Sequence, residues 1–386
     1  MIQPRKEVAL LIETSNEYAR GLLDGVVRYM EEFQRWSIFL PEQGRGAKPP
    51  KWLKQWKGDG IIARVETPEI AAALKSMEMP IVDVSAARLL PELPWVETDD
   101  RAICQLAVEH LLQRGFANFA FCGDSSFAWS KWREKYFVEA LAEQGYGCHV
   151  LDLPTSEDGK ESNPRNLQKL DRWIERLPQP IGIMACYDIR GQLLLEACRE
   201  LEIDVPRQVA VIGVDNDRLL CDLCSPPLSS VIPDSRRTGF EAARLLDHMM
   251  KGEPVNHTPQ LIPPLGVATR RSTDVLATDD PLVGMAMQFI REHACDGINV
   301  GDVLKAVDST RRVLEYRFKQ ITGQTPHEAI VHQRIDKVRQ LLHDTDLSIG
   351  DIADRAGFEH VEYMSATFRK KTGLSPTAYR RKVQPN

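Results

Sequence analysis

A segment near the C-terminus of this sequence recurs fifty residues further along the chain. In each copy, two apolar residues four positions apart precede a glycine and then a proline. The residues in register are Leu314, Phe318, Thr322, Gly323 and Pro326 in the first copy, and Met364, Phe368, Thr372, Gly373 and Pro376 in the second. Apolar residues four apart share one face of a helix, and a glycine followed by a proline is typical of one helix ending and another beginning. This part of the chain is therefore predicted to be two similar helical units in tandem.

Each copy predicts two helices separated by a tight turn. In the second unit, about 348–371, Ser348 is placed to cap a helix over Ile349–Arg355, and a further helix is expected from about 360 to 371. The first unit, about 299–320, has the same plan with its turn at 308–310. Two helices across a tight turn form the helix-turn-helix that enters the major groove of double-stranded DNA.

The residues that join the two units, 326–343, have apolar positions at helical spacing and begin with a proline. A helix of that length spans about 27 Å. Successive major-groove faces lie about 34 Å apart. One chain is therefore predicted to place both second helices in adjacent grooves of operator DNA, with some bending of the DNA.

The end of the second unit carries a specific set of residues. It has Gly-Phe at 357–358, Phe-Arg-Lys-Lys at 368–371, Gly-Leu-Ser-Pro at 373–376 and Tyr-Arg at 379–380. In these residues the unit resembles the DNA-binding domain of AraC/XylS-type transcription regulators. The resemblance implies an all-α double helix-turn-helix domain over residues 284–386, with operator DNA as its partner, after a linker over 271–283.

Base reading is expected from outward residues at the start and middle of the second helix of each unit. The candidates are Thr310, Arg311, Arg312, Glu315 and Tyr316 in the first unit, and His360, Val361, Glu362, Tyr363, Ala366 and Arg369 in the second. Arg312 is the strongest candidate because an arginine can donate to both O6 and N7 of guanine. Glu362 either accepts a hydrogen bond from a cytosine amine or makes the second unit the weaker reader. Arg369 is more typical of a phosphate contact or of solvated surface.

Short apolar runs alternate with amphipathic helical segments from residue 7 to about 265. The runs lie at 8–13, 37–42, 60–65, 80–85, 119–123, 182–188 and 209–216, and the helical segments include 18–33, 101–114, 131–144 and 189–201. This alternation predicts parallel sheets covered by helices on both faces. The rhythm breaks near Ser125 and restarts at about Cys148. Residues 1–270 are therefore predicted to form two α/β lobes, roughly 7–124 and 148–232 with crossover segments, with a ligand between them at the C-terminal ends of the strands.

Polar and aromatic residues gather at these predicted strand ends. The candidate ligand contacts are Tyr18, Asp99, Trp129, Arg133, Asp188, Arg190, Asp215 and Asn216. Carboxylates, an amide and arginines suit the hydroxyls of a neutral polyol, and an aromatic ring packs against the C–H face of a sugar. Asp99 and Asp188 also lie where helix caps are common, so capping is the alternative role for each.

The segment Val-Ile-Gly-Val-Asp-Asn at 211–216 is similar to one in LacI/GalR-type regulators, which have a two-lobed sensor like that of periplasmic binding proteins. Such a sensor ahead of an AraC-type domain resembles the bacterial activators of xylose operons, and the segments 58–63, 270–274 and 293–304 add to the likeness. The resemblance implies a homodimer that binds D-xylose and, as an activator, acts on RNA polymerase. Another pentose or a small polyol is the alternative ligand.

The distribution of charge favours a regulator. Residues 281–386 contain 16 Lys and Arg against 13 Asp and Glu, although the whole chain has a net charge of −6. A basic end on an acidic body is compatible with a nucleic-acid module. The sequence has neither a Gly-x-Gly-x-x-Gly after the first predicted strand nor a P-loop, and its histidines are scattered. No cofactor is therefore predicted, and a sugar-processing enzyme is the less favoured alternative to a regulator.

The eight cysteines are scattered as well. The one close pair, Cys221 and Cys224, lacks a second pair at zinc-finger spacing, so buried reduced thiols and no metal site are expected, with a redox or metal role as the alternative. No apolar run approaches the ~18 residues that cross a membrane, and the N-terminal run is too short for a signal peptide. The protein is predicted to be cytoplasmic and associated with the nucleoid.

Overall fold

The structure is a computed structural model that describes residues 5–33, 35–42, 44, 48–155, 164–255, 258–274 and 280–383. The chain forms two compact units. The first comprises Met1–His110 and Asn118–Ser272, and the second comprises Leu111–Ala117 and Thr273–Asn386. The predicted second lobe and the predicted linker include residues 156–163 and 275–279, which lie outside the described residues.

The first unit alternates short strands with helices. Its strands are β1 (Glu7–Leu11), β2 (Ser37–Phe39), β3 (Gly60–Ala63), β4 (Ile81–Asp83), β5 (Val96–Thr98), β6 (Phe119–Gly123), β7 (His149–Asp152), β8 (Ile181–Ala185), β9 (Val209–Val214), β10 (Ser229–Ile232), β11 (Gln260–Ile262) and β12 (Gly266–Ala268). The helices between them are α1 (Glu17–Glu32), α2 (Pro68–Lys75), α3 (Asp100–Leu112), α4 (Ala128–Glu143), α5 (Pro164–Ile174), α6 (Asp188–Glu200), α7 (Arg218–Leu223) and α8 (Ser235–Met250).

Among the described residues these strands form two main sheets, one in each lobe. β2, β1, β3 and β4 lie in that order in a four-stranded parallel sheet. β10, β9, β8, β6 and β7 are parallel neighbours in a six-stranded sheet, whose edge strand β12 is antiparallel to β10. β5 and β11 form a separate parallel pair. Parallel α/β lobes are confirmed, and β12 is an antiparallel addition that the alternation of strand and helix does not predict.

The predicted boundary between the lobes is wrong. The prediction assigns residues 119–123 to the first lobe, but β6 pairs with β7 and β8 in the six-stranded sheet, with Phe119 opposite Gly182. The break in rhythm near Ser125 is the turn that precedes α4. The chain changes lobe along α3 instead, and it returns after β10, because α8 packs on α1 and β3.

Both faces of the four-stranded sheet are buried, as a parallel sheet requires. Val8 and Leu10 on β1 pack into the core formed with α1 and α8. Ala9 and Leu11 face the other way and pack against a core that includes Ile70 of α2. Side chains alternate along a strand, so β1 needs apolar residues at successive positions to fill both cores.

Helices α1 and α8 touch through their backbones. A methyl group added to Gly239 on α8 would overlap the carbonyl oxygen of Leu22 on α1, and one added to Gly25 would overlap the carbonyl oxygen of Arg236. This contact brings α8, which follows β10 of the six-stranded sheet in the chain, onto the four-stranded lobe.

The second unit is helical. Its helices are α9 (Pro281–His293), α10 (Val300–Ala306), α11 (Arg311–Thr322), α12 (Pro326–Asp344), α13 (Ile349–Arg355), α14 (Val361–Thr372) and α15 (Pro376–Val383). The linker prediction is wrong at its end, because residues 281–283 are the first turn of α9. Asp280 caps this helix through its side chain, which accepts from the backbone N–H groups of Leu282 and Val283.

Two separate cores share α12. Ile330, in the first half of this helix, packs with Leu314 and Phe318 of α11. Ile335, further along, packs with Met364 and Phe368 of α14. The two pairs on α11 and α14 are fully buried, as the fifty-residue repeat predicts. The second unit is thus two helix-turn-helix bundles built on one helix.

Gly239→Ala is expected to destabilise the first unit, because the new methyl group must push α1 away from α8. Overpacking of this kind costs about 1–3 kcal/mol, which exceeds the roughly 1 kcal/mol that alanine gains over glycine in a helix. The seven tryptophans all lie in the first unit, so tryptophan fluorescence during urea unfolding measures the effect. Gly147→Ala is the control, since a methyl group there meets nothing within 4 Å. Equal midpoints for the two variants would contradict the close contact.

Candidate functional site

The first unit contains a cleft at the C-terminal ends of strands from both lobes. The cleft is lined by Tyr18, Arg64, Val84, Ala86, Glu97, Thr98, Asp100, Trp129, Arg133 and Asp215. The first seven belong to α1, β5, the start of α3 and the segments that follow β3 and β4. The last three belong to α4 and the end of β9. The cleft contains about 400 Å³ of space outside protein atoms, its open mouth included.

Arg133 reaches into this cleft from α4 and is buried. Its Nε donates to Oδ1 of Asp100 at 2.8 Å, and its Nη1 donates to the carbonyl oxygen of Cys186 at 2.6 Å. Nη2 lies 3.8 Å from Oδ1 of Asp215, and the guanidinium lies 5.1 Å from the centre of the Trp129 ring. Burial lowers the pKa of Arg133, but the charges of Asp100 and Asp215 outweigh burial and hold this pKa above its ordinary value. Arg133 therefore stays charged and joins groups from both lobes.

A strained turn after β9 presents Asp215 to the cleft. Asp215 has φ +102 and Asn216 has φ +51, a conformation that costs of order 1–3 kcal/mol in a residue with a side chain. The N–H of Asn216 donates to Oγ of Ser230 at 3.0 Å, and its Oδ1 accepts from Nη1 of Arg270 at 2.9 Å. These contacts hold the turn, so that Asp215 faces the cleft while Asn216 is tied to Arg270.

Asp188 supports the same turn from beneath and is 2% exposed. Its Oδ1 accepts from Oγ of Ser230 at 2.6 Å, and its Oδ2 accepts from the N–H of Asp217 at 2.7 Å. A methyl group on Gly213 would overlap Oδ1 of Asp188, so the glycine leaves room for the carboxylate. Burial first, and then the charge of Asp215, raise the pKa of Asp188 to about 8.

The four-stranded lobe contributes a second polar cluster. Arg64, buried after β3, pairs through Nη1 with Glu13 and through Nη2 with Glu66. Its guanidinium lies 5.2 Å from the centre of the Tyr18 ring. Burial raises the pKa of the Tyr18 hydroxyl, which therefore stays neutral. This wall offers a neutral hydroxyl and an arginine whose charge is already matched by carboxylates.

The structure brings together several of the predicted ligand residues. Tyr18, Trp129, Arg133 and Asp215 line the cleft, and Asp188 supports it. As ligand contacts these residues stay predictions.

Three other predicted residues have different surroundings. Oδ1 of Asp99 accepts from the N–H of Ala102 at 3.1 Å, so Asp99 has the capping role that the sequence offers as its alternative. Arg190 is fully buried within its own lobe and donates to Oδ2 of Asp124 at 3.1 Å. Asn216 contacts Arg270 as described. Of the described residues that line the cleft, none is Asp99, Arg190 or Asn216.

Sequence reasoning missed Arg64, Val84, Ala86 and Glu97 as cleft residues. Arg64 directly follows the apolar run of β3, so its position at a strand end is a signal that could have identified it. Glu97 lies in β5, a strand of three residues that is too short to recognise from its pattern. Asp100 adjoins Asp99, and the sequence does not decide which of the two carboxylates caps α3.

The candidate base-reading residues of the first helix-turn-helix lie on or next to α11. Thr310, Arg311, Arg312 and Tyr316 are exposed, and Glu315 is half-buried. Nε of Arg311 donates to Oε1 of Glu315 at 2.8 Å, an exposed pair that reduces the freedom of both side chains. The side chain of Tyr316 is 68% exposed and takes no part in the core, which is unusual for a large aromatic residue. An exposed tyrosine beside arginines is typical of a nucleic-acid surface.

The second reading helix has a similar but less basic surface. His360, Glu362, Tyr363, Ala366 and Arg369 are exposed. Val361 is half-buried and packs against the second core, so its side chain is only partly on the outer surface. As DNA contacts, the residues of both helices stay predictions.

Arg334 of α12 ties the two helix-turn-helix bundles together. Its Nε donates to the carbonyl oxygen of Ala294 at 2.7 Å, and its Nη2 donates to that of Ile298 at 2.8 Å. These carbonyls precede α10. The same guanidinium lies 5.8 Å from the ring centre of Phe358, in the turn before α14. One side chain therefore contacts the first bundle and the turn of the second.

Comparison with known proteins decides the family. The family model of the XylR N-terminal domain matches residues 7–101, that of the periplasmic binding protein-like domain matches 108–273, and that of a helix-turn-helix domain matches 303–382. The xylose operon regulatory protein of Escherichia coli strain K12 is 36% identical over 98% of this chain and 98% of its own length. This chain belongs to the family of xylose operon regulatory proteins.

Other xylose operon regulatory proteins agree with this assignment. That of Haemophilus influenzae is 33% identical over 98% of this chain and 99% of its own. A solved structure of a xylose-binding transcription activator, XylR, superposes with a TM-score of 0.65 at 35% identity and covers 98% of this chain and 99% of that one. The predicted combination of a periplasmic-binding-protein-like sensor and a helix-turn-helix domain is confirmed. The family regulates transcription and is not a family of enzymes.

Three further features of this family member bear on its chemistry. Within the described ranges, no helix is long and apolar enough to cross a membrane. Among the residues that the structure describes, no three His, Cys, Asp or Glu side chains lie close enough together to hold a metal ion. All eight cysteines are free thiols, and burial raises the pKa of Cys224 to about 11, which disfavours its reactive thiolate.

Asp188→Asn is expected to flatten the pH dependence of stability. Because the native pKa of Asp188 is about 8, the folded protein keeps a proton that the unfolded chain releases above about pH 4. The free energy of unfolding therefore falls as the pH rises between these values, by up to about 1.4 kcal/mol per pH unit. The amide that replaces the carboxyl group cannot ionise, so the variant loses this contribution.

Urea unfolding at pH 5, 6, 7 and 8, followed by tryptophan fluorescence, measures the slope. Asp204→Asn is the control, because that carboxylate is half-exposed in the same lobe. Identical slopes for wild type and Asp188→Asn would show that Asp188 does not hold a proton in the native state.

Arg334→Met is expected to loosen both helix-turn-helix bundles. The change removes two charge-assisted hydrogen bonds, each worth about 1.5–3 kcal/mol, so amide exchange in the first bundle should accelerate at least about 100-fold. The lost contact with Phe358, worth about 0.5–1 kcal/mol, should accelerate exchange in the second bundle by a few-fold. Hydrogen exchange with mass spectrometry on peptides covering 294–306 and 349–358 measures both bundles separately. Arg339→Met is the matched control, since Arg339 lies on the same helix and pairs only with Asp336 in the described contacts. Faster exchange in one bundle alone would argue against a shared tie.

Proposed function

We propose that this protein is a D-xylose-responsive regulator of transcription, in which sugar binding to the cleft changes how the second unit binds operator DNA. The observation that carries the proposal is the cleft itself, because its charges are matched internally. Arg133 is paired with Asp100, and Arg64 is paired with Glu13 and Glu66. Such a wall favours a neutral ligand with many hydroxyls over an ion.

The ring of Trp129 and the hydroxyl of Tyr18 support a sugar in particular. The Trp129 ring stacks on Phe127 and carries the Arg133 guanidinium, so it contributes apolar edge atoms to the wall for sugar C–H groups. Asp215 and Tyr18 offer hydrogen-bonding groups for hydroxyls. The relative described as a xylose-binding transcription activator supports D-xylose as that sugar. Asp188 and Asn216 belong to this proposal through the turn that presents Asp215, and contacts of the sugar with Asp99 and Arg190 stay predictions.

Closure of the two lobes is the proposed response to the sugar. Contacts among the described residues already join the lobes. Nη2 of Arg20 on α1 lies 3.7 Å from Oδ2 of Asp217, and Nε1 of Trp132 donates to the carbonyl oxygen of Ala86 at 3.1 Å. A ligand shifts such an equilibrium only by binding one conformation more tightly. Sugar contacts with Asp215 and Arg133 from one lobe and Tyr18 from the other provide that difference.

On DNA, we propose that α11 and α14 enter two successive major grooves. Thr310, Arg311, Arg312, Glu315 and Tyr316 would read one groove, and His360, Val361, Glu362, Tyr363, Ala366 and Arg369 would read the other. The proposed assembly is a homodimer that acts on the nucleoid in the cytoplasm and, as an activator, recruits RNA polymerase.

A different pentose or a small polyol is the second candidate for the ligand, because the cleft would also match other neutral hydroxyl compounds. The two candidates differ in which hydroxyls are satisfied, since a misplaced hydroxyl leaves a buried group unpaired at a cost of about 1–3 kcal/mol. Selectivity among pentoses therefore separates them.

Calorimetric titration of the full chain should show D-xylose binding at least tenfold more tightly than D-ribose or L-arabinose, with ATP giving no heat. Footprinting on duplexes selected from a random pool should then show a change in DNA affinity of at least about fivefold with the sugar. Sugar binding that leaves the affinity and the footprint unchanged would remove the switch. Tighter binding of another pentose would favour the second candidate.

Arg312→Ala is expected to lower the affinity for selected DNA about 10- to 100-fold and to relax the base preference at one position. A bidentate arginine–guanine contact favours guanine over the other bases by about 1–3 kcal/mol. Gel shifts against selected and random duplexes measure the ratio of specific to non-specific binding. Lys305→Ala is the control, since this exposed lysine lies on α10 outside the reading helix. An undiminished ratio for Arg312→Ala would exclude Arg312 as a base reader.

A further inference from the structure

Glu97 has a buried carboxylate that is only half satisfied. It is 4% exposed and lies in the wall of the cleft. Its Oε1 accepts from Nη2 of Arg88, whereas its Oε2 is buried without a hydrogen-bond partner among the described residues. A buried carboxyl oxygen without a hydrogen-bond partner is costly, so it is rarely left in place unless another molecule satisfies it.

Arg88 holds this carboxylate through an aromatic clamp. Its guanidinium lies 4.5 Å from the ring centre of Trp95 and 5.2 Å from that of Trp132. Trp132 belongs to α4 of the other lobe and is itself fixed by the hydrogen bond from its Nε1 to Ala86. Two rings on one guanidinium restrict its position. Oε1 of Glu97 is therefore held by a group that both lobes fix in place, and Oε2 is the carboxyl oxygen without a partner among the described residues.

The same cleft contains an unsatisfied donor. Nε of Arg64 is buried and has no hydrogen-bond partner in the described part of the chain, although both Nη atoms of Arg64 are paired. A hydroxyl group can donate to a carboxylate and accept from a guanidinium. An acceptor on Glu97 and a donor on Arg64 together match a compound with several hydroxyls.

We propose that Glu97 binds the ligand directly, with its Oε2 accepting the hydrogen of one sugar hydroxyl, and that Arg88 is the positioning residue that fixes the carboxylate. This inference rests on the proposed function, namely that the cleft binds a neutral sugar. Because Arg88 lies against Trp132 of the opposite lobe, the hydroxyl that Glu97 binds is fixed by a contact between lobes. A carboxylate at this position also disfavours anionic relatives of the sugar, such as sugar acids and sugar phosphates.

Calorimetry with D-xylose and its four mono-deoxy analogues tests Glu97. Glu97→Gln is expected to weaken D-xylose binding about 10- to 100-fold, since the amide NH2 group cannot accept the hydrogen bond and leaves a buried group unpaired. Wild type and variant should have equal affinity for only one analogue, the one that lacks the hydroxyl group that donates to Glu97. Glu92→Gln, at an exposed carboxylate of the same lobe, should leave every affinity unchanged.

The role of Arg88 is tested by a double-mutant cycle. Arg88→Gln should weaken D-xylose in the wild-type background and have no further effect in Glu97→Gln, because Arg88 acts through Glu97. Equal losses in both backgrounds would assign Arg88 a merely structural role. Glu97→Asp, which keeps the charge and withdraws it by one methylene, is the second variant, and it should also weaken binding while tryptophan fluorescence reports an intact first unit.

The outcomes separate this inference from the proposed function. Suppose that wild type binds D-xylose or another pentose, and that Glu97→Gln has the same affinity as wild type for that sugar and for each deoxy analogue. In that case Glu97 is not a ligand contact, and the cleft is still a sugar site. If wild type binds no sugar, the proposed function fails and the role of Glu97 fails with it.

Discussion

The need of one buried cation for partners determines the layout of the sensor cleft. Removing a guanidinium from water costs several kcal/mol unless charges and hydrogen bonds replace the lost hydration. Arg133 obtains them from Asp100 at the start of α3, from the carbonyl of Cys186 after β8 and from Asp215 after β9. These partners come from both lobes, so the cation that is buried at the cleft also links the start of α3 to the strand ends of the six-stranded sheet. The result is a polar cleft with its charges already matched, and such a cleft suits a neutral ligand.

What the sequence predicts well is local. The cap at Ser348 and the bounds Ile349–Arg355 follow from adjacent residues, and α13 has both features. The partners of β6 are not local, because its neighbour β8 lies about sixty residues further along the chain, and an apolar run does not specify which sheet it joins. The same limit applies to the cleft. Tyr18, Trp129, Arg133 and Asp215 follow from the rule that ligands lie at strand ends, but the pairing of Arg190 with Asp124 depends on a tertiary contact that the sequence pattern does not contain.

The two units satisfy their polar groups in different ways. In the second unit, α10, α12 and α13 each begin with a capping box, in which two side-chain and backbone bonds close within four residues. The first unit instead keeps a strained turn at Asp215 and Asn216 and a carboxylate oxygen of Glu97 without a partner among the described residues. Strain and unsatisfied groups concentrate at sites that respond to a ligand. Locally satisfied helices, in contrast, hold a fixed shape for reading DNA.

Because both helix-turn-helix cores are built on α12, the length of this helix sets the rotation of one bundle relative to the other about the helix axis. One residue more or less within Pro326–Asp344 would rotate the second bundle about the axis of α12 by roughly 100° and shift it by about 1.5 Å. In the proposed mode of DNA binding, a rotation of that size would turn α14 away from its groove while α11 still faces its own. The interior of α12 can therefore change its residues but not their number, and insertions that preserve reading by both bundles are confined to the turns outside it.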